Sequence, residues 1–175
     1  MVNDPNWKLP EVPGFELTSP DFEPGGALPQ WARAGGAGGE DRSPELCWSG
    51  APEGTKSFVL TIFDPDAPTS SGWWHWAVRD LPATLDCLPR NAGAPDAGLL
   101  PAGAVTHPNE NGEARYGGAW PPPGHGPHRY FFTLSALGVD HLDVAATATP
   151  AILSFVVGEH IIARAQLVAT SESPA

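Results

Sequence analysis

Apolar residues gather into three stretches of the chain and thin out between them. "KSFVLTIFD" (56–64) is β-branched, aromatic and almost continuously apolar, as a strand covered on both faces would be. "HWAVRDL" (75–81) predicts a second strand, with His75, Ala77 and Arg79 on one face and Trp76, Val78 and Asp80 on the other. "HRYFFTLSAL" (128–137) predicts a third, with His128, Tyr130, Phe132 and Leu134 sharing a face. Shorter strands are expected in "FELTSPDF" (15–22), "ELCWSG" (45–50), "GAVTH" (103–107) and "AQLVAT" (165–170). The period changes after residue 147. Thr149 suits an N-cap and Pro150 the first helical position, where a missing N–H costs nothing. A helix from about Pro150 to Ala163 is then apolar nearly all round, so it is expected to be buried in its own domain or against a second subunit.

Between these segments the chain turns often. It holds 21 Pro and 20 Gly, which favour turns and irregular connections. Residues 1–14 form an extended arm by composition, 25–44 a loop, and 90–127 a long Gly/Pro/Asn-rich connection. No internal repeat is visible. A length of 175 residues is enough for one domain with a real core, and 41% hydrophobic content excludes wholesale disorder. The expectation is a single, mainly β domain spanning 1–175 with one late helix.

A net charge of -11 argues against broad binding of nucleic acid or anionic membranes, which most of the surface would repel. No basic and apolar leader opens the chain, and no stretch approaches membrane-spanning length. A cytoplasmic address is therefore expected, with Cys47 and Cys87 as reduced thiols and a Cys47–Cys87 disulfide the minor alternative.

The chemistry gathers at strand ends. "DPDAPTSSGWWHW" (64–76) places Asp64 and Asp66 after the first strand and His75 at the start of the second, while His128 opens the third. Loops at one end of a β scaffold are where binding groups collect. Two readings stay open on spacing alone: a pocket holding imidazoles, carboxylates and a phenol, or turn-capping aspartates beside strand-end histidines. His107, His125 and His128 with Asp64 offer metal-ligand atoms without a tight ligand spacing, so no metal and no cofactor is called for. Neither a G-x-S-x-G elbow nor a P-loop occurs.

"SPELCWSGAPEGTKSFVLTIFDPDAP", "GWWHWAVRDLP" and "YGGAWPPPGHGPHRYFFTLSAL" resemble successive signatures of the phosphatidylethanolamine-binding protein family, in its bacterial Raf-kinase-inhibitor-like branch. The resemblance covers about residues 15–168. It implies a β-sandwich of two sheets with one or two peripheral helices, and a small pocket for phosphate-type anions. By motif, Asp64, Asp66, Ala67 and Pro68 match the DPDAP wall, and His75 the pocket histidine of the "HW" strand. His128 and Tyr130 match the "HRY" pair, and Gly118 the loop glycine whose backbone lies against the ligand. Trp73 or Trp74 fills the place of a pocket tyrosine that mammalian members carry. One X-Pro bond of DPDAP is expected to be cis, holding the carboxylate in place.

The function so implied is non-enzymatic binding of a phosphate-bearing small molecule or lipid headgroup. His75, His128 and backbone N–H groups of the glycine loop are expected to donate to its oxygens. Asp64 would either fix an imidazole tautomer or accept the proton of a monoanionic phosphate. A regulatory inhibitor of a kinase or serine protease, and a weak phosphoester hydrolase, are the alternatives. A homodimer is expected from the over-apolar helix.

Overall fold

The structure, a computed structural model, describes residues 4–175; residues 1–3 of the expected arm lie outside the described residues. Along the chain come β1 (Glu16–Thr18), β2 (Leu46–Ser49), β3 (Ser57–Asp64), β4 (Trp73–Pro82), β5 (Cys87–Leu88), β6 (Val105–Thr106) and β7 (His128–Leu137), then α1 (Pro150–Val157) and β8 (Ile161–Ser171). They build two antiparallel sheets, a five-stranded one in the order β6-β4-β3-β7-β8 and a three-stranded one in the order β1-β2-β5. The expected two-sheet sandwich with a peripheral helix is what forms.

The alternation within β3 explains its continuous apolar run. Phe58, Leu60 and Ile62 enter the core between the sheets, against Leu17, Leu46, Trp48 and Leu88. Val59 faces the other way, into a second cluster with Ala77, Leu142, Leu153 and Val157 that seats α1 and the loop before it. Most of the central strand is thus covered on both faces, with Thr61 and Phe63 partly exposed on the outer one.

Several expectations are corrected by the fold. The helix ends at Val157 rather than Ala163: Thr149 Oγ1 accepts from the Ile152 N–H as its cap, and Gly158 terminates it by donating back to Ser154 O. The segment after the helix has period two, with Ala163, Ala165, Leu167 and Ala169 buried on one face, and it pairs along the whole of β7. Nor is α1 buried all round; Leu153 and Val157 are, but Ile152 and Phe155 are 52% and 76% exposed.

Cys47 and Cys87 form a disulfide, against the reduced thiols expected. They sit directly opposite each other on β2 and β5, with Cα atoms 4.1 Å apart, which is close enough for the bond. β5 is only two residues long and gave no hydrophobic signal, so the sequence did not reveal the pairing. The expected cis X-Pro bond is also absent: every peptide bond among the described residues is trans.

Candidate functional site

Antiparallel pairing brings the end of β3 and the starts of β4 and β7 to one edge of the large sheet. Asp64 at the end of β3, Trp74 and His75 on β4, and His128 and Tyr130 on β7 therefore meet, although 66 residues of numbering separate Asp64 from Tyr130. A cavity of about 410 Å³ opens there, lined by all five together with Ala67, Pro68 and Gly118. Its size is within the range of small-ligand pockets. Asp66 alone of the expected residues lies outside the lining. Its carboxylate instead takes the Arg129 backbone N–H at 2.9 Å and the guanidinium at 2.8 and 2.7 Å. That hydrogen-bonded guanidinium holds the Asp66 carboxyl below its usual range.

Asp64 is almost fully buried and saturated. Oδ1 accepts from the backbone N–H groups of Asp66 and Ala67 at 2.8 and 3.0 Å, a turn that fixes the carboxylate with all bonds trans. Oδ2 lies 2.8 Å from His128 Nδ1. A carboxylate only accepts, so Nδ1 carries the proton and Asp64 sets the imidazole's tautomer. Of the two tasks open to Asp64, the geometry matches this one. His128 Nε2 in turn lies 2.8 Å from His125 Nδ1, which extends the chain to a second imidazole. His125, considered from sequence only as a metal ligand, thus covers the inner histidine.

His75 is fixed in the same manner. Its Nδ1 donates to Gly117 O at 2.8 Å, leaving Nε2 as an acceptor on the neutral ring. Burial pushes its pKa below the ordinary histidine value, so the neutral ring is the resting form at pH 7. Tyr130 packs against it edge-on, ring centroids 5.1 Å apart. Tyr130 is 1% exposed and its hydroxyl has no hydrogen-bond partner among the described residues. Burial, with Asp64 nearby, pushes that phenol's pKa up, so it stays a donor.

The glycine loop behaves differently from expectation. Gly118 N–H donates to Asp41 Oδ1 at 2.7 Å and is not free for a ligand. Asp41, which no sequence signal marked, also takes the Gly35 N–H at 2.8 Å from a left-handed backbone position, φ 51°. Glycine is required at 118 because a Cβ would collide with the Arg33 carbonyl and the Ala34 nitrogen. Asn109, also in the lining, carried no signal in the sequence beyond its place in the long connection, whereas Trp120 lies within the family-like stretch "YGGAWPPPGHGPHRY".

The family model described as "Phosphatidylethanolamine-binding protein" matches residues 18–172. The UPF0098 proteins YbcL and YbhB of Escherichia coli are each 43% identical over 159 residues, covering 90% and 89% of this chain and 87% and 98% of theirs. The crystal structure of E. coli YbcL, titled a new member of the mammalian PEBP family, matches with a TM-score of 0.87 over 90% of this chain and 98% of that one. A carboxypeptidase Y inhibitor solved with its cognate proteinase shares the fold alone, at 21% identity and a TM-score of 0.53 over 92% of this chain and 84% of that one. Two sheets, a strand-end cavity and a family match spanning most of the residues agree, and the chain belongs to the phosphatidylethanolamine-binding protein family.

Proposed function

We propose that the cavity binds a phosphate-bearing small molecule or lipid headgroup and does not turn it over. The observation that carries this is the Tyr130 hydroxyl, a buried donor without a partner among the described residues, on a side chain that lines the cavity. An unpaired buried polar group is costly, so such groups in native proteins call for an explanation. A phosphate oxygen would supply the missing acceptor.

The tautomers refine the expected contacts. Neutral His75 presents a lone pair at Nε2, which repels a dianion but accepts from a P–O–H. The ligand therefore enters as a monoanion, its proton on His75 Nε2 and a charged oxygen on the Tyr130 hydroxyl. Protonated His75 binding a dianion carries the same total of protons. Binding from the dianion and neutral ring thus takes up one proton. For a phosphomonoester with a second pKa of about 6, affinity is expected to be about 50-fold higher at pH 6 than at pH 8. Calorimetric titration with phosphoethanolamine at both values, in two buffers of different ionisation enthalpy, reads affinity and proton uptake together. Equal affinity at the two pH values removes this account.

Two finer expectations carry their own tests. Exposed Ile152 and Phe155 support the homodimer, and sedimentation velocity at low micromolar concentration tests it. No helix among the described residues is long and apolar enough to cross a membrane. The cytoplasmic address stands against the disulfide, since such bonds persist in oxidising compartments. A thiol count on protein alkylated in intact cells decides between them.

A further inference from the structure

A second cavity, of about 370 Å³, lies on the outer face of the large sheet. Val59, Phe63 and Phe131 form its apolar floor, Phe155 on α1 one wall and Leu9 of the N-terminal arm another. Into this apolar groove β8 places Arg164, opposite Ser135 in the register of β7. Arg164 ties down the arm: its backbone N–H donates to Pro13 O at 2.9 Å and Nη1 to Pro10 O at 3.2 Å.

The rest of the guanidinium is unanswered. Nε is buried with no hydrogen-bond partner, and Nη2 donates to no atom among the described residues. Six ion pairs occur among the described residues and none includes Arg164. Asp4 and Glu11 line a neighbouring recess with it, and neither is paired to it. The side chain is half-buried, and Asp4 acts on it through space without pairing to it, so its charge is only partly balanced. Nη2, which is not buried, is the guanidinium nitrogen left to donate a charge-assisted hydrogen bond to a carboxylate.

We propose that this groove binds an apolar monocarboxylate of the fatty-acid type, its carboxylate on Arg164 Nη2 and its chain along Val59, Phe63 and Phe131. One guanidinium balances one negative charge. A phosphate dianion would remain under-compensated in a protein of charge -11, because among the described residues no second cation lines the groove. An uncharged amphiphile would leave the arginine as it is. The site is separate from the phosphate cavity, with Trp74 the only described residue common to both linings.

The test is calorimetric titration of the full chain with decanoate, decanol and acetate below their aggregation limits. Decanoate is expected to bind at least about tenfold more tightly than decanol, as loss of a charge-assisted hydrogen bond implies, and acetate not measurably. Arg164→Gln should remove the advantage of decanoate while leaving decanol unchanged. Ala151→Trp, at an exposed position of α1 that lines the groove, should block both with unchanged thermal unfolding. Tyr130→Phe should affect neither. Equal binding of decanoate and decanol, or decanoate binding that survives Ala151→Trp, overturns the proposal. Should Arg164→Gln release the arm and fail to fold, those two comparisons still decide it.

Discussion

His75 and His107 are two buried imidazoles built alike up to one atom. Each sits against the large sheet, and each donates from Nδ1 to a backbone carbonyl, Gly117 O at 2.8 Å and Ala148 O at 2.9 Å. Burial lowers the pKa of both. They part at Nε2. In His107 that nitrogen accepts from Arg79 Nε at 3.2 Å. Arg79 is further held by Asp80 and by Val144 O, and Asp80 by His141 and the Leu142 N–H, so every polar group of this cluster is answered from within the chain. In His75 the same nitrogen meets no donor among the described residues, and the neighbouring Tyr130 hydroxyl has no partner among them either. The two regions use the same residue types. One closes on itself and fastens the loop before α1; the other keeps a donor and an acceptor in reserve at a cavity. Satisfaction of hydrogen bonds, rather than burial or composition, separates the structural cluster from the binding one.

The largest expected effect is on the closed side. Arg79→Met removes one member of a buried charged network and should cost about 3–5 kcal/mol. For a chain of this size that is on the order of 10 °C in Tm. Phosphoethanolamine affinity should stay as in the wild type. An unchanged melting temperature would break the comparison at its root.

Tyr130→Phe should do the reverse. Loss of a hydrogen bond to a charged oxygen weakens phosphoethanolamine binding by about 1.5–3 kcal/mol, tenfold or more. The free protein should hold its stability or gain about 1 kcal/mol, because an unpartnered buried hydroxyl is gone. Chemical denaturation and calorimetry on the same preparation read both. A loss of stability with unchanged affinity would make Tyr130 a core residue only.

Acid should affect both histidines together. Their pKa values are lowered by burial, so the unfolded chain takes up protons first as pH falls below about 6.5. Stability is then full above that value and declines as pH drops through the folded values. Denaturation midpoints at pH 8, 7, 6 and 5 should be level, then fall. Saturating phosphoethanolamine should offset the share of His75 and leave that of His107 untouched. A midpoint that does not move between pH 7 and pH 5 argues against two neutral buried rings.

Asp66→Asn should have the smallest effect. Its ion pair with Arg129 is about a quarter exposed, which limits its worth to about 1 kcal/mol or less. Because Arg129 lowers the Asp66 pKa, this stability is present above about pH 4 and lost as pH falls further. Phosphoethanolamine affinity should not change, since the side chain is outside the cavity lining. A tenfold loss of affinity would return Asp66 to the ligand.

Periodicity determined much on its own. The bounds of β7 and the apolar run of β3 follow from local side-chain chemistry, and the Thr149–Pro150 helix start from capping. The DPDAP, HW and HRY motifs carried the identities of Asp64, His75, His128 and Tyr130. The expectations that failed depended on distant partners. Ile161 and Ile162 extend an apolar run that suits helix or strand, and only pairing with β7 makes them strand. Cys87 bonds Cys47 because a two-residue strand lies opposite it, and Asp41 reaches Gly118 across 77 residues. Which nitrogen of each imidazole is free, and whether a buried hydroxyl or guanidinium has an answer, is likewise invisible locally. Side-chain type and period belong to neighbours in sequence; hydrogen-bond partners belong to neighbours in space, and only the folded chain assigns them.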